Sequence, residues 1–265
     1  MTKKILIVGG TGFIGYHLAL QTKKMSWDVT IASTKKPPQI RKIKKVKYIR
    51  CDISKKSRVN KAFKNNFNYV VNLGGYVDHG NKKKTFRSHY NGSKNLANHF
   101  LKKNIDAFVQ IGSGGEYGKL KSPQRESSKS KPLSVYSRAK FLATNFFLEL
   151  FSKKNFPVTI LRLYQVYGPK QDQNRFLPIV IKNCLLDKNF PCSHGRQFRD
   201  FVFIKDVVNA IIKSLIIKKA KGEIINIGSQ KPLKIKRLIS QIIKITGGGK
   251  PQYGLISLRK EENLN

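Results

Sequence analysis

The sequence predicts an α/β protein: a Rossmann-type, doubly wound parallel sheet with a smaller C-terminal substrate-binding lobe. Three observations carry this. Short apolar runs of strand length alternate with helical patterns; the first run feeds a glycine-rich loop at residues 9–15; and the rhythm loosens beyond about residue 165. Strands that are apolar on both faces need helices above and below, as a parallel sheet provides.

The elements follow in order. KILIV (4–8) reads as a buried strand and residues 12–24 as the helix after it. WDVTIAS (27–33) and VKYIRCDI (46–53) are the second and third strands, and a polar helix leads to YVVNLGG (69–75). AFVQIGS (107–113) and VTILRLY (158–164) are two more, each preceded by a helical pattern. Beyond them come the turn-rich VYGPKQDQNRFLP, the charged RQFRDFVFIKDVVNAIIKSL and a short strand, GEIINIG. The expected division is a dinucleotide-binding domain over residues 1–165 and a lobe over residues 166–265 that folds over it.

Composition narrows the partners. The 265 residues hold 53 Lys+Arg against 14 Asp+Glu, a net charge of +39. The basic residues are spread along the whole chain, with no basic tail and no stripe of aromatics interleaved with arginines. That pattern describes solvated surfaces and argues against a dedicated nucleic-acid site, although the field would attract anionic ligands. Three cysteines without a Cys-x-x-Cys pair argue against a disulfide framework. No apolar run approaches the roughly 18 residues that span a bilayer. Cleavage of a leader would destroy the loop that begins at residue 9, so the cytoplasm is the expected location. No metal-ligand set is expected.

The loop Gly9-Gly10-Thr11-Gly12-Phe13-Ile14-Gly15 follows a strand and opens a helix. In that context Gly9 permits the tight turn, Gly12 lets a pyrophosphate approach the backbone, and Gly15 lets helix and strand pack closely. The end of the second strand bears on which dinucleotide binds. A carboxylate there would accept from the ribose 2′-hydroxyl of NAD. Ser33, Thr34, Lys35 and Lys36 instead suit a 2′-phosphate, so NADP(H) is favoured over NAD(H). Asp52, with Ile53 beside it, is placed to meet the adenine edge.

Tyr136 and Lys140 stand four apart at the head of a helical stretch, with Ser113 upstream at the end of a strand. A phenol titrates near 10, and a neighbouring ammonium would stabilise the phenolate and lower that value. Tyr136 could then exchange a proton with a substrate oxygen that Ser113 holds by a hydrogen bond.

With these motifs the chain resembles the extended short-chain dehydrogenase/reductases that act on nucleotide-diphosphate sugars. The resemblance runs over nearly the whole chain. It rests on VGGTGFIG, Cys51-Asp52-Ile53, Gly92-Ser93-Lys94-Asn95-Leu96, Ser113 with Tyr117-Gly118, and Tyr136-x-x-x-Lys140. It continues through Arg162-Leu163, Val166-Tyr167-Gly168-Pro169, Asn174-Arg175-Phe176, Arg199-Asp200-Phe201, Asp206-Val207-Val208 and Arg259. It implies catalysis by Ser113, Tyr136 and Lys140, with Tyr136 and Lys140 also touching the cofactor. Asn174, Arg199 and Arg259 would contact the nucleotide sugar, the two arginines through its diphosphate. Homodimerisation through the helix bearing Tyr136 and its neighbour is a further implication.

Departures from the family pattern narrow the chemistry. The 4,6-dehydratases carry two acidic residues directly after the catalytic Ser/Thr; here Gly114 and Gly115 stand there, and Glu116, one residue late, is expected to be structural. His89 replaces a commonly found Asn, and Gln165 replaces another. The chain ends six residues after Arg259, where relatives usually carry another helix. The leading expectation is an NADP(H)-using reductase of the 4-keto group of a nucleotide-diphosphate deoxysugar. A 4-epimerase using NAD is the alternative, and a non-catalytic dinucleotide- or RNA-binding protein the minor one.

Overall fold

In the computed structural model, residues 2–258 apart from 77 and 79 are described. Arg259 therefore lies outside the described residues. The first half runs β1 (Lys4–Val8), α1 (Phe13–Lys24), β2 (Asp28–Ser33), β3 (Lys47–Arg50), α2 (Lys56–Ala62) and β4 (Tyr69–Asn72). It continues with α3 (Lys82–Phe86), α4 (Gly92–Phe100), β5 (Ala107–Ser113), α5 (Val135–Lys154) and β6 (Val158–Leu163). Then come β7 (Gln165–Tyr167), α6 (Phe176–Leu185), β8 (Asn189–Cys192), β9 (Phe198–Arg199), β10 (Phe201–Phe203) and α7 (Ile204–Ile216). The chain closes with β11 (Ile224–Ile227), β12 (Leu233–Lys234), α8 (Ile235–Thr246) and β13 (Lys250–Tyr253).

Seven strands form one parallel sheet in the order β11-β6-β5-β4-β1-β2-β3. The apolar strands divide their side chains between two cores, as a period of two requires. Ile5 and Ile7 join Val71, Val109 and Leu161 against α1 and α7. Leu6 and Val8 join Val70, Phe108 and Ile160 against α2, α4 and α5. Phe63, Phe100, Phe108 and Phe147 are wholly buried in the second core, and each contributes about 1.5–3 kcal/mol. Chain order reverses between β1 and β4, so the carboxyl ends of those strands open a crevice where doubly wound sheets bind ligands.

Two expectations need correction. The third strand stops at Arg50, and Cys51–Ile53 turns away, with Asp52 accepting from Ser54 N at 3.0 Å and Ser54 Oγ at 2.7 Å. The division at residue 165 does not follow the packing. β11 pairs with β6, and Val207, Val208, Ile211 and Leu215 of α7 bury against the sheet. An amphipathic helix and an apolar strand find a large apolar partner in that sheet. The smaller lobe is thus built from two stretches around them, with its own core of Leu177, Val180, Cys184 and Phe190 against Ile235, Ile239 and Ile242.

Candidate active site

The glycine loop forms where β1 ends. Gly9 has φ +78, and a methyl there would lie 2.8 Å from the Leu73 carbonyl, so the loop closes against the end of β4 only with glycine. Gly12 N donates to Gly9 O at 3.0 Å, and Gly12 is the N-cap of α1, with Phe13 and Ile14 in the first turn. This leaves the helix N-terminus open toward the crevice, the arrangement that suits a pyrophosphate.

A cleft of about 390 Å³ adjoins it, lined by Gly9, Ser33, Thr34, Asp52, Ile53 and Gly74 among others. Thr11 and Ser33 share a hydroxyl hydrogen bond of 2.7 Å across the β1 and β2 ends. Lys35 is exposed beyond that wall. Sequence reasoning missed three more cations on the same cleft, Lys55, Lys84 and Arg87. Their signal was slight, because lysines occur throughout this chain. The glycine cradle, the cleft and the cationic wall fit a dinucleotide.

Ser113, the last residue of β5, faces the head of α5. That helix is opened by a capping box in which Ser134 Oγ accepts from Ser137 N at 3.1 Å, which sets Tyr136 in the first turn and Lys140 in the second. The Ser113 hydroxyl hydrogen-bonds the Tyr136 phenol and also accepts from Gly115 N at 3.1 Å. Burial pushes the Tyr136 phenol above its ordinary value; the Ser113 bond and the Arg175 guanidinium pull it down, and Glu116 pushes it up. The Lys140 ammonium donates to Ile111 O at 2.7 Å, lies 5.9 Å from the centre of the Tyr136 ring, and is itself lowered to about 8 by burial. The influence of Arg175, the N-cap residue of α6, could not be read from sequence, because 39 residues separate it from Tyr136.

Glu116 is wholly buried and organises the β5 end. Its carboxylate accepts from Ser113 N at 2.8 Å, Thr144 Oγ1 at 2.9 Å and Arg162 Nε at 3.1 Å, and Arg162 Nη2 lies 3.0 Å from it. These bonds engage both carboxylate oxygens, which supports the structural role expected for it. Gly114 and Gly115 form a 3-10 turn after Ser113 and offer no acid or base. Asn174 is exposed just before α6, and Arg199 ends β9, where its Nη1 donates to Phe198 O at 2.6 Å. Both lie in the lobe. No group of three or more His, Cys, Asp or Glu that could hold a metal ion, and no helix long and apolar enough to cross a membrane, occurs among the described residues.

Comparison with known proteins converges on one group. The profile of the NAD dependent epimerase/dehydratase family matches residues 5–228. A dTDP-D-glucose 4,6-dehydratase of Mus musculus is 27% identical over 261 residues, covering 92% of this chain and 73% of its own length. A putative UDP-glucose 4-epimerase of Methanocaldococcus jannaschii is 28% identical over 250 residues, covering 90% and 81%. Among solved structures, the UDP-glucuronic acid 4-epimerase of Bacillus cereus, in complex with UDP-glucuronic acid and NAD, superposes with a TM-score of 0.85. It is 25% identical, over 95% of this chain and 86% of that one.

Proposed function

The chain belongs to the NAD dependent epimerase/dehydratase family, and from that premise we propose that it reduces the 4-keto group of a nucleotide-diphosphate sugar. The observation that carries this is the hydrogen bond between the Ser113 hydroxyl and a Tyr136 phenol whose acidity burial has weakened. A phenol kept protonated at neutral pH is the form that a proton donor needs. Ser113 orients the keto oxygen, and Tyr136 delivers its proton to that oxygen as charge develops there. Arg175 and the Ser113 hydrogen bond stabilise the phenolate left behind. The bound dinucleotide would supply the hydride.

Gly9, Thr11, Gly12, Phe13, Ile14 and Gly15 hold its pyrophosphate, and Asp52 and Ile53 flank its adenine. Ser33 and Lys35, supported by Lys55, Lys84 and Arg87 around the cleft, suit the 2′-phosphate of NADP(H). Asn174 and Arg199 grip the nucleotide diphosphate from the lobe, a task that Arg259 shares. Two copies pair through α4 and α5 in the cytoplasm. Gly114 and Gly115 stand where an elimination would need carboxyl groups, so loss of water is not part of this reading.

The test is Tyr136→Phe assayed with a 4-keto nucleotide sugar. NADPH oxidation disappears while NADPH binding persists. Continued oxidation in that variant would refute the assignment.

A second reading, a 4-epimerase, has its own support. Residues 168–172 are tied down by His17 Nε2 with Pro169 O at 2.9 Å, Lys170 Nζ with Tyr16 OH at 2.6 Å, and Arg41 Nη2 with Asp172 Oδ1 at 2.7 Å. A strap held to α1 and to the turn after β2 suits a cofactor that stays bound through a reversible cycle. Absorbance of the reduced nicotinamide separates the readings, because only a reductase consumes it stoichiometrically.

A further inference from the structure

His89 joins the cofactor cleft to Tyr136. Its ring is buried, 6% exposed, and meets the Tyr136 ring edge to face, with centroids 4.9 Å apart and planes at 85°. Its Nε2 lies 3.2 Å from Tyr76 O; a carbonyl only accepts, so Nε2 carries the proton. Its other flank rests on Gly75, where a methyl group would overlap the imidazole. Gly75 and Tyr76 both line the cofactor cleft. One planar ring thus spans the gap from the cleft wall to the phenol.

The backbone around it is built to place that ring. Residues Arg87–Asn91 wind as a π-helical turn between α3 and α4, a widened turn that shifts side chains from their α-helical positions. His89 O accepts from Ser93 Oγ at 2.7 Å, and Ser93 Oγ accepts from Asn72 Nδ2 at 3.1 Å. Asn72 is the last residue of β4 and also donates to Gln110 Oε1 of β5 at 2.8 Å. His89 is therefore anchored to β4, whose end frames the crevice, and through Asn72 to β5.

We propose that His89 is a positioning residue: its imidazole, fixed by Tyr76 O and Gly75, sets the distance and tilt of the Tyr136 ring relative to the cofactor cleft. It touches neither a reacting atom nor a transferred proton and acts through Tyr136. The proposal rests on the reading of Tyr136 as the proton donor.

The experiment compares His89→Ala, His89→Leu and His89→Gln with the wild type in two measurements. In steady-state reduction of a 4-keto nucleotide sugar, His89→Ala lowers kcat about 100-fold, the cost of a displacement near 1 Å. KM for the nucleotide sugar stays within about twofold, because the ring lies off the lobe that grips it. His89→Gln, which can donate to Tyr76 O, recovers most of kcat. His89→Leu, which fills the space without a donor, does not.

The second measurement needs no substrate. Near-ultraviolet phenolate titration of each protein, minus the same protein carrying Tyr136→Phe, isolates the Tyr136 phenol. In His89→Ala its midpoint falls toward that of a free phenol, and in His89→Gln it stays near the wild-type value. An unchanged kcat or an unchanged midpoint in His89→Ala overturns the proposal, as does full recovery by leucine. If His89→Ala fails to fold, an alkaline midpoint in His89→Gln that departs from wild type has the same force. A wild type that turns over no keto sugar, with the titration shift present, sinks the reductase reading and leaves the positioning role standing.

Discussion

The Lys140 ammonium donates to the Ile111 carbonyl at 2.7 Å and stands 5.9 Å from the centre of the Tyr136 ring. Its charge is directed at the end of the β5 backbone, beneath the serine that holds the phenol. Burial is the dominant influence on this lysine and lowers it to about 8 from its ordinary value of 10.5, with Glu116 opposing.

That shift gives stability a pH dependence of known sign. Between about 8 and 10.5 the unfolded chain binds the Lys140 proton and the folded one releases it. The wild type therefore gains stability as pH rises through that window, by up to about 3 kcal/mol, and carries the full penalty below it. Urea midpoints of wild type and Lys140→Met, compared across the window, isolate this residue. A difference that does not change with pH counts against the assignment.

Removing one partner of the buried Glu116–Arg162 pair leaves the other charged in a dry site. Glu116→Gln is expected to cost about 3–5 kcal/mol, and denaturant unfolding reads the loss directly. The double variant Glu116→Gln, Arg162→Met should be more stable than Glu116→Gln alone, because no uncompensated charge is left. A double variant less stable than the single one would contradict this account.

A carboxylate at the end of β2 tests the proposed preference for NADP(H). Ser33→Asp breaks the 2.7 Å hydroxyl pair with Thr11 and places a negative charge on the cleft wall. NADPH affinity should fall by about tenfold or more, close to 1.4 kcal/mol, with NADH affinity equal or better. Fluorescence titration with both cofactors measures it, and parallel loss for the two would remove Ser33 from cofactor choice.

The pinch between loop and helix at Gly15 is the tightest part of the cradle. A methyl on Gly15 would stand 2.7 Å from Gly9 O, so Gly15→Ala must part α1 from the loop. Dinucleotide binding should be lost along with several degrees of thermal stability. Gly247→Ala is the control: nothing lies within 4 Å of the new methyl, so only the left-handed backbone resists it, at about 1–2 kcal/mol with cofactor binding intact.

Much of this site was legible in the chain. The order of β1, glycine loop and α1 could be read from the apolar run before Gly9, because strand and helix periodicity are local. The spacing of Tyr136 and Lys140 put both on one helix face for the same reason. Other features were out of reach. The return of α7 and β11 to the sheet depends on a strand pairing between residues some 60 apart, such as Ile224 with Ile160. A short apolar run gives no sign of which neighbour will accept it.

By itself, then, the sequence determined the alternation that builds a parallel sheet, the glycine loop between β1 and α1, and the placing of Ser113 at a strand end with Tyr136 and Lys140 on one helix. Only the tertiary structure decided what surrounds the phenol: Ser113 and Arg175 as the groups that ease its ionisation, His89 against its ring, and Lys140 turned to Ile111. The physical reason is that residue type and spacing are properties of the local chain. Burial and electrostatic neighbours come from segments that meet only when the sheet closes.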